Sequence, residues 1–434
     1  MNRLPSLTRR SLLTAAGAGA GLSLFRPAAS RAATTGAAKA RVVVVGGGFG
    51  GATAAKTIRR LDPAIEVTLV EPSREFVTCP FSNLVLGGLR DLPSITHRYD
   101  ALSQKHGVKV VHAAATGVDP AARTVTVSGG LTLPYDRLIL SPGIDIRWNA
   151  VPGYDEPAAD VLPHAWKAGA QTALLRRQLQ ALEDGGLVII AAPANPFRCP
   201  PGPYERASLI AQYLKTHKPR SKLLILDAKD AFSKQGLFTD AWTKLYPGLI
   251  EWVPASRDGK VVSVEPKEKV LVSEFGERHK GAVVNVIPPQ KAGAIADAAG
   301  VTDDKGWAPV DHRTFESRKV PGIHVVGDAC IPGAMPKSAF CATAQAKVAA
   351  AAVVAALNGT SLPDPQFINT CYSLIGDGYG ISVAGVYRVN AQGVAEEVPN
   401  SGGVSPKDAD AEFRRKEALY GEGWYRAITA DTFG

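Results

Sequence analysis

Arg41-Val42-Val43-Val44-Val45-Gly46-Gly47-Gly48-Phe49-Gly50-Gly51 decides how this chain folds. Four consecutive valines make an apolar run too short for a buried helix and right for a parallel strand covered on both faces. The glycines at 46, 48 and 51 have the spacing of the fingerprint that follows such a strand, and each answers a separate need. Gly46 permits the tight turn, Gly48 lets the backbone approach a pyrophosphate, and Gly51 lets the next helix pack against the strand. A helix is predicted over 52–61, a turn at Asp62-Pro63 and a second strand over 66–70. That order puts Glu71 where an acid binds the ribose hydroxyls of an adenosine, and makes the stretch a dinucleotide-binding unit.

A second strand begins at Leu187, and an NAD(P)H-dependent enzyme would repeat the glycine fingerprint after it. Instead, residues 192–205 read Ala-Pro-Ala-Asn-Pro-Phe-Arg-Cys-Pro-Pro-Gly-Pro-Tyr-Glu. The prolines remove backbone donors and the glycines are gone, so no nicotinamide dinucleotide is expected here. The loop carries Cys199 instead, with Glu205 six positions on at the start of a helix over 204–217. Further along, Gly322-Ile323-His324-Val325-Val326-Gly327-Asp328 is an apolar strand ending in Gly-Asp. Asp328 can hydrogen-bond ribitol hydroxyls while Gly327 lets the backbone come close, so the bound dinucleotide is expected to be FAD. A strand running into Ser141-Pro142-Gly143 marks the exit from the first FAD segment, with Gly143 after the small residues. A helix over 343–357 is predicted beneath the flavin. Cys79, in the loop 76–83, could be a buried thiol or a tether to the flavin ring, and sequence pattern alone favours the thiol.

With 434 residues the chain is too long for one core. Of the formal charge of +9, five units come from arginines in the first 32 residues, which contain no acids, and the +4 that remains is too small to argue for nucleic acid. Thr8-Arg9-Arg10-Ser11-Leu12-Leu13 leads into an Ala/Gly/Leu-rich segment and a small-residue cleavage site at Ser30-Arg31-Ala32. This is the layout of a twin-arginine signal, which exports folded proteins with cofactor already inserted, so a periplasmic location is expected. No later segment is expected to approach the ~20 apolar residues of a membrane helix, and no membrane insertion is expected. The eight histidines lack ligand spacing, so no metal site is expected. Short strands over 108–111, 124–127 and 131–133 suggest an antiparallel meander, and 261–264 with 270–273 another strand pair. Cys330 and Cys341 read as buried thiols.

Residues 162–169 (Leu-Pro-His-Ala-Trp-Lys-Ala-Gly), 197–208 and 369–373 (Asn-Thr-Cys-Tyr-Ser) are more specific than any flavin glycine. With them, the chain resembles the flavoprotein subunits of flavocytochrome c sulfide dehydrogenase along almost its whole length. The resemblance implies an α/β fold with two dinucleotide-binding-type (glutathione reductase-like) domains plus a C-terminal α+β interface domain. The expected layout is a signal peptide over 1–32, an FAD-binding domain in two parts over 36–150 and 290–360, a second dinucleotide-type domain over 151–289 and the interface domain over 361–434. It further implies that Cys79 is linked covalently to FAD and that Cys199 and Cys371 form a redox disulfide. Glu205 is then the acid beside that bridge and Trp424 an aromatic wall. Hydrosulfide is the implied substrate. Since the chain has no C-x-x-C-H haem motif, the implied electron acceptor is a separate c-type cytochrome subunit. Two alternatives stand beside this: a membrane-associated sulfide:quinone oxidoreductase, and a non-catalytic, flavin-stabilised partner of a cytochrome.

Overall fold

Val42 to Val45 are all buried, and a strand buried on both faces belongs in the middle of a parallel sheet. In the computed structural model, which describes residues 38–434, the strand Ala40–Val45 lies there. The twin-arginine stretch lies outside the described residues. Five parallel strands run in the order Ile323–Val325, Arg137–Leu140, Ala40–Val45, Ile65–Val70, Lys109–Val111. The fingerprint strand thus sits between the strands that lead into Ser141 and into Glu71. Helix Phe49–Leu61 starts three residues earlier than its apolar spacing suggested and packs on helix Ala339–Asn358. Small buried residues on both, Ala52 and Ala55 on one and Ala346 and Ala349 on the other, allow close approach.

A second parallel sheet has the order Ile250–Val253, Lys222–Asp227, Leu187–Ala192, Val283–Val286. Its last strand pairs with Leu187–Ala192, so the chain leaves this sheet only after residue 286; Gln290–Ala292 then pairs with Ile144–Ile146 in a separate two-stranded sheet, and the first sheet is rejoined at Ile323–Val325. The meander needs a correction. Lys109–Val111 is the edge strand of the first sheet, and the meander is Ala115–Asp119, Thr124–Val127 and Thr132–Pro134. Alternation in Ala115–Asp119 is broken by a register shift between Ala115 and Gly117, which hides its period. The second strand pair gains a third member, Arg278–Lys280.

The C-terminal part is a long antiparallel hairpin, Gln366–Gly376 with Tyr379–Val389, covered by helix Ala411–Phe433. That helix also reaches the fingerprint helix. Thr432 and Thr53 share a hydrogen bond of 3.1 Å, and the Lys56 ammonium donates to the carbonyls of Asp431 and Gly434, both at 2.8 Å. A cation at a helix C-terminus satisfies carbonyls that have no partner within the helix. The expectation that no later segment reaches membrane-spanning length also needs correcting. Ala339–Asn358 is long and apolar enough, yet more than half of it is buried inside the protein.

Candidate active site

Both sheets deliver their loops into one cavity of about 550 Å³, lined by Gly46, Gly48, Glu71, Cys79, Gly143, Cys199, Glu205, Gly327, Asp328, Cys371 and Trp424. Residues far apart in the sequence therefore share one space.

At one end is the glycine turn. Gly46 has φ +98°, a left-handed conformation that favours glycine, and a side chain there would overlap the Ser141 carbonyl. Gly48 caps helix Phe49–Leu61 without any side-chain hydrogen bond, so the first amides of the helix remain free for an anion. Glu71 is held by both oxygens, accepting from the Gly47 amide at 2.7 Å and the Ser73 amide at 2.9 Å. The carboxylate keeps lone pairs for ribose hydroxyls. On the neighbouring strands, Gly143 has φ +67° and Gly327 φ +76°, and Gly327 donates to Gln345 Oε1 at 2.8 Å. Asp328 lies next to it, facing the Arg198 guanidinium at 3.8 Å. An uncapped helix start, an acid at the end of the second strand and a Gly-Asp turn on one cavity fit FAD.

At the other end are the sulfur atoms. Cys199 sits in the left-handed region with φ +58° just before helix Gly202–His217, its amide bonded to the Lys337 carbonyl at 2.9 Å. Cys371 lies in the strand Gln366–Gly376, opposite Val383. All five cysteines are free thiols, so the implied Cys199–Cys371 disulfide is not formed in this structure, although both residues face the cavity. Burial pushes the Cys199 thiol well above its ordinary value, and the nearby Cys371, Cys79 and Glu205 push it further. Burial also raises Cys371, but the Lys234 ammonium opposes it. Cys330 and Cys341 are buried thiols, each pushed up to about 12 by desolvation.

Glu205 is in the first turn of helix Gly202–His217 and accepts from the Leu374 amide at 2.9 Å and from Asn83 Nδ2 at 2.8 Å. Burial raises its pKa, and those two donors hold it back. The start of this helix differs from a nucleotide-binding one. Pro201 is its cap residue, Pro203 lies in its first turn, and a Cβ on Gly202 would come within 2.7 Å of Trp166 and 3.0 Å of the Cys199 sulfur. Trp424, on helix Ala411–Phe433, and Trp166 each turn an indole N–H that has no partner among the described residues.

Sequence reasoning missed the cations. Arg206 is only 2% exposed and has no carboxylate partner among the described residues; it donates to Asn83 Oδ1 at 3.0 Å, Asn285 Oδ1 at 2.9 Å and the carbonyls of His164 and Ala165. It also lies 4.8 Å over the Trp166 ring, and burial lowers its pKa to about 10. It neighbours Glu205 in sequence, and that adjacency was the one available signal. Arg206→Met should leave at least two buried acceptors unpaired and lower stability by about 3 kcal/mol, read from urea unfolding of the purified chain. Lys234 and Asn83 were equally hidden, since their partners lie far away in sequence.

Three family models match the chain. Residues 172–288 match the central part of the sulfide dehydrogenase [flavocytochrome c] flavoprotein chain. Residues 363–433 match the flavin-binding part of flavocytochrome c sulphide dehydrogenase. Residues 40–180 match pyridine nucleotide-disulphide oxidoreductase. A sulfide dehydrogenase [flavocytochrome c] flavoprotein chain from Chlorobaculum thiosulfatiphilum is 76% identical over 45 residues, 10% of this chain and 94% of that sequence. Mouse mitochondrial sulfide:quinone oxidoreductase is 26% identical over 329 residues, covering 71% of this chain and 69% of the mouse protein. The crystal structure of the sulfide:quinone oxidoreductase from Aquifex aeolicus superimposes with a TM-score of 0.71 at 19% identity, over 91% of this chain and 92% of that one, which shows a shared fold.

Proposed function

Because the chain belongs to the family of the flavocytochrome c sulfide dehydrogenase flavoprotein chain, a sulfide-oxidising flavoprotein oxidoreductase, we propose that it oxidises hydrosulfide through Cys199 and Cys371 and passes electrons singly to a c-type cytochrome subunit. The observation that carries this reading is that both cysteines and Glu205 open into the cavity that holds the flavin glycines. FAD, when bound, supplies a two-electron acceptor that can re-oxidise the thiol pair and release electrons one at a time. The chain's own residues do the rest. In the oxidised state the two sulfurs form a bridge, hydrosulfide attacks it, one cysteine becomes a persulfide and the other a thiolate, and Glu205 takes the proton. Gly46, Gly48, Glu71, Gly143, Gly327 and Asp328 hold the cofactor, and Trp424 walls the site. The proline-filled loop 192–205 supports a site without nicotinamide, and Cys79, on the same cavity, is the proposed covalent tether. Acid precipitation, which strips unlinked FAD, tests the tether. The arginine pair at 9 and 10 supports twin-arginine export to the periplasm, tested by cell fractionation.

Rapid bleaching of the flavin band on anaerobic addition of sulfide tests the core of the proposal; a flavin that stays oxidised leaves only the binding-partner reading. Cytochrome c against a quinone analogue as re-oxidant then separates the acceptors. The similarity to sulfide:quinone oxidoreductases favours the quinone as second reading. Against it, helix Ala411–Phe433 carries eight charged residues and packs on the hairpin instead of presenting an unbroken apolar face.

Glu205 gives this scheme its pH dependence. It must be deprotonated to accept, and burial holds its pKa above the ordinary glutamate value. The bleaching rate should fall on acidification, with the fall beginning at a higher pH than an exposed glutamate would give. Glu205→Gln should flatten that limb and slow the step by about 10²-fold, measured by stopped flow at saturating sulfide.

A further inference from the structure

The two sulfurs are not equivalent. Lys234 stands at the cap position of helix Gln235–Leu245 with φ +62°, a left-handed backbone uncommon for a residue with a side chain. Its side chain is buried, 8% exposed overall, and crosses to the hairpin, where the ammonium donates to the Cys371 carbonyl at 3.0 Å and to Ser373 Oγ at 2.8 Å. An ammonium has three N–H donors, so one is left after these two. One residue beyond Ser373 on the same strand, the Leu374 amide donates to Glu205 at 2.9 Å. The strand segment bearing Cys371 is thus clamped between a buried cation and a buried carboxyl. Cys199 lies beyond the clamp, on the loop before helix Gly202–His217.

We propose that Lys234 is a positioning residue for the sulfur chemistry: its ammonium makes Cys371 the sulfur that departs as thiolate when the bridge opens, so the incoming sulfur stays on Cys199. This rests on the sulfide-oxidising reading above. The hydrosulfide sulfur bonds to Cys199 with its own electron pair, the Cys199–Cys371 bond breaks, its pair settles on Cys371, and the proton goes to Glu205. The bridge is reduced by two electrons and the sulfide sulfur is oxidised to the persulfide level. The charged and titratable groups facing Lys234 are Cys371 on the hairpin, Glu205 and Cys199 around the second helix start, and Glu417 on the last helix; all are partners of a cation. Cys371 faces Lys234, Glu205, Cys199 and Cys341, with Tyr387 beside it on the paired strand, while Cys199 has the Arg198 guanidinium next to it. Burial penalises both the ammonium and the thiolate, and together each offsets the penalty of the other.

The test labels Cys371 with iodoacetamide in reduced holoprotein carrying Cys199→Ser, across pH, with the modified peptide followed by mass spectrometry. Lys234→Gln keeps a hydrogen-bond donor and removes the charge. It should slow labelling at pH 8 by about tenfold and move the profile up by about one pH unit, and Lys234→Arg should restore it. A lysine that only braces the strand would leave the Lys234→Gln profile unmoved, and that result overturns the proposal. A second measurement needs no lysine variant. Wild-type holoprotein given less than one equivalent of sulfide and quenched with alkylating agent should carry the added sulfur on the Cys199 peptide; finding it on the Cys371 peptide overturns the assignment. If sulfide reduces no flavin at all, the sulfide-oxidising reading fails, while the labelling profile still reports what Lys234 does to Cys371.

Discussion

Cys199→Ser and Cys371→Ser are each expected to slow sulfide bleaching of the flavin by roughly a thousandfold or more, with FAD still bound. A hydroxyl cannot form the bridge that hydrosulfide attacks, and the thiol left behind has lost the cysteine it would pair with. Cys330 and Cys341 cannot substitute, since both are buried and held as thiols by desolvation. The two residues act as one unit, so the double variant should be no slower than either single one. Stopped-flow absorbance under anaerobic conditions reads all three. A single serine variant within tenfold of the parent rate would exclude the sulfur bridge as the entry point for electrons. Both cysteines face the same cavity.

The second large effect concerns two glycines three positions apart. A methyl group on Gly51 would overlap the Gly46 carbonyl oxygen, which is backbone and cannot swing away, whereas one on Gly48 meets only the Phe76 ring at 3.3 Å. Gly51→Ala should therefore push the fingerprint helix off its turn, lowering stability by about 3 kcal/mol and releasing FAD. Gly48→Ala should fold with nearly the parent unfolding midpoint, yet bind FAD about tenfold or more weakly, because the new methyl stands where the pyrophosphate approaches. Thermal unfolding together with flavin fluorescence after desalting separates the two. Equal loss of stability in both variants would contradict the division of labour assigned to these glycines.

The glycine turn, Glu71 and the Gly327-Asp328 turn were legible because each is a local demand of backbone geometry written into neighbouring residues. The proline-rich loop at Cys199 was legible for the same reason: it departs from a pattern whose next letters are known. Arg206 and Lys234 were not. Lys234 bonds a strand 137 residues away, and nothing near it in sequence distinguishes it from a solvated lysine. The last helix was hidden differently. Its buried face includes Arg414, Glu417, Thr429 and Thr432; Glu417 accepts from Arg414, Ser382 and Ser405, Thr429 donates to the Tyr425 carbonyl and Thr432 bonds Thr53, so the apolar period that would mark the helix is diluted. Lys109–Val111 was assigned to the wrong sheet because three residues carry too little period to choose a partner.

The final helix brings Trp424 to the flavin cavity and docks its last turn, through Thr432 and the carbonyls gripped by Lys56, on the helix that follows the first glycine turn. Translation produces that glycine turn well before its cover. A ribosome therefore has to make both sheets and the hairpin before the cofactor chamber can be closed, and FAD has that interval in which to enter.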